Sequence, residues 1–576
     1  MAETLVSPGV LARENDQSFI TEQPVQAGAA IVGPTVRGPI EVPTIVTSYS
    51  DFQNRFGTTF ESGSNEYSFF TSIAAQNYFS NGGNTLLVTR VVSGSAATDW
   101  DYAEASIPGH TASITAFKLE SLYKGAEFTN SGSVTTMSNG ALVSGSKDNF
   151  RWEVTTANTS SGTFSLIIRR GDDNTNTKSV LETFTNLSLD PKQSNYIARV
   201  IGDQTLNYNS TENYIEYSGS YPNASRYVRV KDVSNTPDYL DNTGTAKNEF
   251  TGSIPAVGSG SYGGSFDGSK GTNIPTSSMN MYHNINSTNS QGLKGSDYNN
   301  MLTLLSNQDE YRYNLLLLPG LTNSDHTAQI TTAISNAESR GDNLVVVDPV
   351  NYGSTLVQAT SEAAGRDTSY AAMYWPWVTT LDPDTGDQVK VPASTLMGGV
   401  FAFNDNAGEP WFAPAGINRG GMGTVIRAER KLSQANRDSL YEANVNPIAT
   451  FPGTGVVVYG QKTLQKQASA LDRVNVRRLL IELKSYISQV SQTLVFEQNT
   501  ASTRNNFLSQ VNPYLESVQQ RQGLYAFRVV MDDTNNTADV IDRNQLVGQI
   551  FIQPTRTAEF IYLDFNVLPT GATFPS

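Results

Sequence analysis

Two short runs in the middle of the chain, Leu315–Leu318 and Val345–Val347, contain no polar residue. A strand with one wet face alternates apolar and polar side chains, so a run apolar on both faces needs cover on both sides. Between the runs, about residues 325–340 carry the spacing of a polar-faced helix. A second helical stretch covers about 354–364, and the strand-like Tyr370–Thr380 follows. Strand–helix–strand with fully apolar strands predicts a small parallel sheet joined by right-handed crossovers.

Other stretches read differently. Ala29–Gly33 and Thr44–Val46 are short strands among Gly-Pro turns, Tyr67–Phe79 has helical spacing, and Thr85–Val92 is a strand, giving a compact β/α unit. From about Ser93 to Asn300 the chain turns rich in Ser, Thr, Asn and Gly, with strands such as Phe150–Val154, Phe164–Arg170 and Ser179–Phe184. This predicts a β-rich insertion, with residues 251–278 as a mobile Gly/Ser loop. Near the end, Val476, Leu479, Leu480, Leu483, Ile487, Val490 and Leu494 define one long amphipathic helix. Phe507, Val511, Leu515 and Val518 define another, with Pro513 kinking it or resetting its start. Strands are expected at Leu524–Met531, Leu546–Gln553 and Ala558–Leu568.

Composition bounds the chemistry. The 576 residues hold 54 acidic and 39 basic side chains, a net charge of −15, which argues against gripping phosphate backbones; no direct contact with nucleic acid or membrane is expected. Cysteine is absent, which removes disulfides, thiolate metal sites and thiol nucleophiles. His110, His283 and His326 lie far apart in sequence. The opening Met1–Thr4 resembles no secretory signal, and no apolar run approaches the roughly 20 residues that span a bilayer.

The chemical motifs are weak. Gly258-Ser-Gly-Ser-Tyr-Gly263 has the phosphate-cradling spacing but Gly/Ser-rich flanks where a strand and a helix are needed. Gly455, Gly460, Lys462 and Thr463 miss a phosphate loop by one residue, and Val456–Tyr459 reads as a strand. Asp382–Asp387 reads as a hairpin turn rather than a calcium loop, and Asp172-Asp173 as another turn. Asp325 is a candidate helix cap beside His326. No nucleophile–base–orienter set and no cofactor site emerges, so the chain is read as a non-enzyme. The basic cluster Arg473, Arg477, Arg478 and Lys484 reads either as a solvated helix face or as a contact with an acidic partner.

Both ends look like extended arms without core partners of their own. An arm carries unpaired N–H and C=O groups, and adding it to the open sheet edge of another copy satisfies them. Val6, Val10 and Phe19 at one end, and Ile561, Leu563, Phe565 and Val567 on one face of the other, are the expected contacts between copies. Heterologous links of this kind propagate into a polymer instead of closing.

Ser7-Pro8-Gly9-Val10, the block Ala27–Arg90 with Val32-Gly33-Pro34 and Tyr78–Gly83, Asn186–Pro191 with Asn195-Tyr196-Ile197, and above all Val474–Phe565 with Arg477-Arg478-Leu479, Phe496–Asn499 and Thr503-Arg504 stand in the order found in contractile tail sheath proteins of myovirus-type phages, which the chain resembles. The resemblance implies an α+β multidomain subunit. Its discontinuous inner α/β domain is built from N- and C-terminal parts, with a β-rich outer insertion and the small parallel α/β subdomain. The expected boundaries are an arm at 1–24, inner domain at 25–95, outer domain at 96–300, small α/β domain at 301–380, inner domain again at 381–556, and a terminal strand at 557–576. It further implies hexameric rings stacked in a helical lattice around a tail tube protein, contact with baseplate and tail terminator proteins, residence in the virion tail after assembly in the host cytoplasm, and contraction that drives the tube through the host envelope. It puts the C-terminal helices innermost, with Arg473, Arg477, Arg478 and Lys484 facing the tube. The competing readings are a receptor-binding or decoration protein of a virion and a glycan-acting or nucleotide-hydrolysing enzyme.

Overall fold

A computed structural model describes residues 25–62, 65–94, 100–125, 137–142, 145, 149–261 and 279–561. Its centre is an eight-stranded sheet. The strands are β1 (Val25–Gly33), β2 (Thr44–Val46), β3 (Leu86–Arg90), β4 (Tyr311–Thr322), β5 (Leu344–Asp348), β6 (Ala371–Trp375), β7 (Val445–Phe451) and β8 (Gly455–Val458). Their spatial order is β2-β3-β1-β4-β5-β6-β7-β8. The six inner strands run parallel, and the short β2 and β8 close the two edges antiparallel. The sheet is therefore not the small separate body expected over 301–380. β1 pairs directly with β4, Ala29 opposite Leu315 and Ile31 opposite Leu317, so the N-terminal β/α unit and the middle of the chain share one sheet. An interior place suits β4 and β5: neighbouring strands pair both their edges, and their two apolar faces are left for helices to cover.

Helices clothe both faces. Helix α1 (Tyr49–Phe56) starts at Ser48, whose Oγ accepts from the Asp51 amide, and ends at Gly57 with φ +74°. Helix α2 (Phe70–Ser80), α3 (Thr327–Arg340), α4 (Leu356–Ala364) and α5 (Ala393–Ala407) follow. The helix expected at Tyr67–Phe79 starts later because Asn65–Ser68 pairs as a strand with Thr59–Ser62. Asp325 is not the cap of α3; His326 holds that position, buried, its Nδ1 accepting from the Thr322 amide. One core lies on each side of the sheet. Leu315, Leu317, Val346, Phe70 and Phe401 belong to one, and Leu316, Leu318, Val345, Val347 and Ile330 to the other. Each large apolar side chain so buried stabilises the fold by about 1.5–3 kcal/mol.

The chain leaves this sheet after β3 and re-enters at β4. Between them stand a four-stranded antiparallel sheet (Val180–Ser188, Thr163–Arg170, Phe150–Asn158, Gly258–Ser261) and a three-stranded one (Val228–Val233, Thr115–Lys124, Tyr102–Pro108), with a core of their own. The β-rich character expected here is present. The loop expected over 251–278 is not uniform: Gly258–Ser261 pairs with Arg151–Val154, and residues 262–278 lie outside the described residues.

The C-terminal part is a helix pair on a ribbon. Helices α6 (Val474–Gln492) and α7 (Ala501–Gln520) pack with two antiparallel strands, β9 (Leu524–Val530) and β10 (Gln549–Pro554), around Leu479, Leu483, Phe507, Val511, Leu515 and Val518. Pro513 sits inside α7. The third strand expected, Ala558–Leu568, has no regular structure through Ile561 and then leaves the described residues. Among the described residues, no helix is long and apolar enough to cross a membrane.

Candidate assembly surface

A parallel α/β sheet most often binds ligands at the carboxyl ends of its strands. Here the ends of β4 and β5 are occupied by side chains that hydrogen-bond one another. Asp348, at the end of β5, accepts from the Ser394 amide at 3.0 Å and from its hydroxyl at 2.5 Å. Burial pushes its carboxyl up to about 7, against the pull of the Ser394 hydrogen bonds. Thr322 donates to Asn351, and Asn323 donates to Glu362 while accepting from Arg366. The sequence motifs fare no better as sites. Gly258–Ser261 lies flat on Trp152, where a Cβ at Gly260 would sit 2.7 Å from the indole. Gly455–Val458 is the strand β8, and the Lys462 ammonium donates to the Tyr441 carbonyl at 2.8 Å. Asp382–Asp387 is a hairpin turn between paired strands, with Gly386 at φ +77° and Asp384 accepting from Tyr49 and Gln53.

The basic cluster is dismantled by the fold. Arg477 and Arg478 are each 4% exposed. Arg478 forks onto both carboxylate oxygens of Asp405 at 2.6 and 2.5 Å and lies over the Phe401 ring. Arg477 lies 4.0 Å over Tyr370 and donates to the Ser369 hydroxyl. Both are fasteners between α6 and the central body, so the expectation of a solvated face fails for them. Their partners stand 68 to 108 residues away in sequence, which local spacing could not reveal. Lys484 is exposed and donates to the Tyr370 hydroxyl at 3.3 Å. Arg473 is partly exposed and paired with Asp472 and Glu559.

The incomplete surface is elsewhere. The β9–β10 ribbon has two strands and, among the described residues, no third. Ile550 and Ile552 turn toward the helix pair while Gln549, Phe551 and Gln553 face out. Tyr525 and Phe551 are 64% and 56% exposed. An isolated two-stranded ribbon is marginal in water, and its outer N–H and C=O rows are open to pairing. Beside it runs a groove of about 1110 Å³ lined by Leu494, Phe507, Met531, Leu546 and Ile550. Residues 474–576 carry eight basic and nine acidic side chains, so nearly all of the chain's negative charge lies before them. Ile561 is 77% exposed where the described chain ends. Val6, Val10, Phe19, Leu563, Phe565 and Val567 lie outside the described residues.

Residues 291–464 match the family model described as the phage tail sheath protein central domain, and residues 466–568 match the phage tail sheath C-terminal domain. The chain is 38% identical over 246 residues to the tail sheath protein of Vibrio phage KVP40, covering 43% of this chain and 36% of that protein. It is 42% identical over 184 residues to the tail sheath protein of Enterobacteria phage T4, covering 32% and 28%. The aligned stretches thus span about a third of those relatives' length. The crystal structure of a sheath tail protein from Listeria innocua overlays 92% of this chain and 95% of its own with a TM-score of 0.51 at 12% identity, a likeness of fold. The stretch Val474–Phe565, which carried most of the sequence resemblance, falls inside the C-terminal match. Ala27–Arg90 and Asn186–Ile197 fall outside both matches.

Proposed function

We propose that this chain, which carries the central and C-terminal domains of phage tail sheath proteins, is the structural subunit of a contractile sheath, polymerising as stacked hexameric rings around a tail tube. The observation that carries the reading is the β9–β10 ribbon, whose two edges have no strand partner among the described residues. A terminal arm from a neighbouring copy, laid along such an edge, forms a row of backbone hydrogen bonds, and alternate side chains enter the groove beside it. Ile561, Leu563, Phe565 and Val567 share the parity for that role. Each copy both gives and receives, so the contact is heterologous and builds a lattice.

Contraction is then a change of packing between rigid subunits, with the arms keeping neighbours joined. Rigidity has a source in this chain: the buried Arg478 forked onto the half-buried Asp405, and the Arg477–Tyr370 stack, lock the C-terminal unit to the central body. The work comes from the difference in contact between two lattice states, and no nucleotide is consumed. Tube contact is assigned to Lys484 and Arg473, the two members of the basic cluster that reach solvent. The baseplate and terminator are the remaining partners, and the assembled protein resides in the tail after assembly in the host cytoplasm. Negative-stain microscopy tests the reading. The full chain forms long hollow cylinders, and a chain lacking residues 562–576 stays folded and forms none. Cylinders from the shortened chain contradict it.

A further inference from the structure

Past β10 the chain runs without regular structure from Thr555 to Ile561, yet its side chains alternate. Thr555, Thr557 and Glu559 turn inward, while Arg556, Ala558 and Phe560 are exposed. An inward face usually packs by being apolar. This one is polar at every step, and each inward side chain is hydrogen-bonded. The Thr555 hydroxyl donates to the Gln522 carbonyl at 2.6 Å. The Gln461 amide donates to the Thr557 hydroxyl at 2.6 Å. Glu559 then gathers three donors: Arg473 Nε at 2.8 Å, the Tyr441 hydroxyl at 2.6 Å and Gln461 Nε2 at 3.0 Å. These come from three separate places: the helix Gln434–Glu442, the turn after β8, and the N-terminal cap of α6. Lys462 lies 4.4 Å over the Tyr441 ring and donates to its carbonyl, holding the phenol in place. Burial alone would raise the Glu559 carboxyl, but the hydrogen bonds from Arg473, Tyr441 and Gln461 outweigh it and hold it below its ordinary range.

In the sequence, the odd-numbered positions change character one step later. Odd-numbered residues are Thr555, Thr557 and Glu559, then Ile561, Leu563, Phe565 and Val567. The polar half is satisfied by this subunit, and the apolar half begins where exposure jumps to 77% at Ile561.

We infer that Glu559 is a positioning residue: it clamps the root of the C-terminal tail to its own subunit and so fixes the point and direction at which the tail departs for its neighbour. The inference rests on the sheath reading for its purpose, while the clamp itself is a property of the single chain. Three charge-assisted or short hydrogen bonds to one carboxylate localise the tail root at Glu559 without burying apolar surface.

The test is the mobility of a nitroxide label on the exposed position Ala558, as Ala558→Cys in the otherwise cysteine-free, unassembled full-length protein. Glu559→Ala shortens the label's rotational correlation time by about threefold, leaving the thermal midpoint of the subunit within about a degree. The charge-swapped pair Arg473→Glu with Glu559→Arg recovers most of the immobilisation, which a merely structural loss would not do. Unchanged mobility in Glu559→Ala overturns the inference, and so does a swap as mobile as the single variant. Deleting residues 562–576 leaves the label at 558 immobilised. Cylinders formed by that deletion would instead count against the arm reading, so the two failures are distinguishable.

Discussion

The central sheet and the C-terminal ribbon treat their edges in opposite ways. The sheet ends on one side in β2, three residues long, and on the other in β8. The outer side of β8 is itself paired, with Met422 donating to the Val456 carbonyl and Val458 to the Gly420 carbonyl. The β9–β10 ribbon has neither a short capping strand nor a covering loop among the described residues, and Tyr525 and Phe551 point outward from it. Open edges are an aggregation hazard that folds blunt wherever they can. A chain that blunts both edges of its largest sheet and leaves the longest of its two-stranded ribbons open offers that ribbon for self-association.

That contrast can be broken or sharpened by experiment. The largest effect belongs to the chain end: deletion of residues 562–576 removes cylinder formation while shifting the thermal midpoint of the subunit by only a few degrees, read by microscopy and by calorimetry. Next comes the sheet. Leu317→Ala, at a position with no exposure, costs about 2–5 kcal/mol in urea unfolding. Asp405→Ala leaves the buried Arg478 guanidinium with the Pro410 carbonyl as its remaining acceptor and costs about 1–3 kcal/mol in the same assay. A smaller folding effect marks the ribbon's outer face: Phe551→Ser changes subunit stability by about 0.5 kcal/mol or less, yet raises the concentration needed for assembly, measured by sedimentation. Equal effects of Leu317→Ala and Phe551→Ser on stability would erase the distinction between the two regions.

The two regions also differ in how they respond to pH. Asp348 in the sheet has a folded pKa raised to about 7, above an unfolded value of about 3.9, so the folded state holds the proton more tightly. Its stabilisation is fully present at low pH and declines as pH rises from about 4 through 7. Glu559 is held below its ordinary value by Arg473, Tyr441 and Gln461, with Lys462 and Asp472 nearby. The clamp is intact above the unfolded pKa of about 4.3 and is lost as pH falls through the lower folded one. Asp348→Asn therefore flattens the unfolding profile between about pH 4 and 7, whereas acid loosens the tail root, seen as rising mobility of a label at residue 558.

How much of this was legible in the sequence depended on periodicity. β4 and β5 declare themselves by being apolar on both faces, and α6 and α7 by an apolar stripe with a 3.6-residue repeat. Helix α5 gave no such signal. It is buried nearly all round, begins after Pro392 and contains Gly398-Gly399, so no face stands out. Its glycines carry the explanation: a Cβ at Gly398 would meet Leu317 at 2.7 Å, and one at Gly399 would meet the Asn77 side chain. Paired glycines in a small-residue run mark close packing, here of α5 on the sheet through Gly398 and on α2 through Gly399, which was the one clue available. Helix α1 had its own punctuation in Ser48, Asp51 and Gly57. The ribbon was readable as two strands, but its isolation was not. Whether an edge is covered depends on residues distant in the chain, as does the burial of Arg477 and Arg478.

The central claim is that the β9–β10 ribbon is completed by another copy. Hydrogen exchange of residues 524–530 and 549–554, compared between the unassembled subunit and the polymer, tests it most directly. The account predicts that the outward-facing amides of the ribbon exchange fast in the free subunit and become protected by at least about a hundredfold on assembly, while those of β4 and β5 do not change. Ribbon amides equally exposed in both states would contradict it.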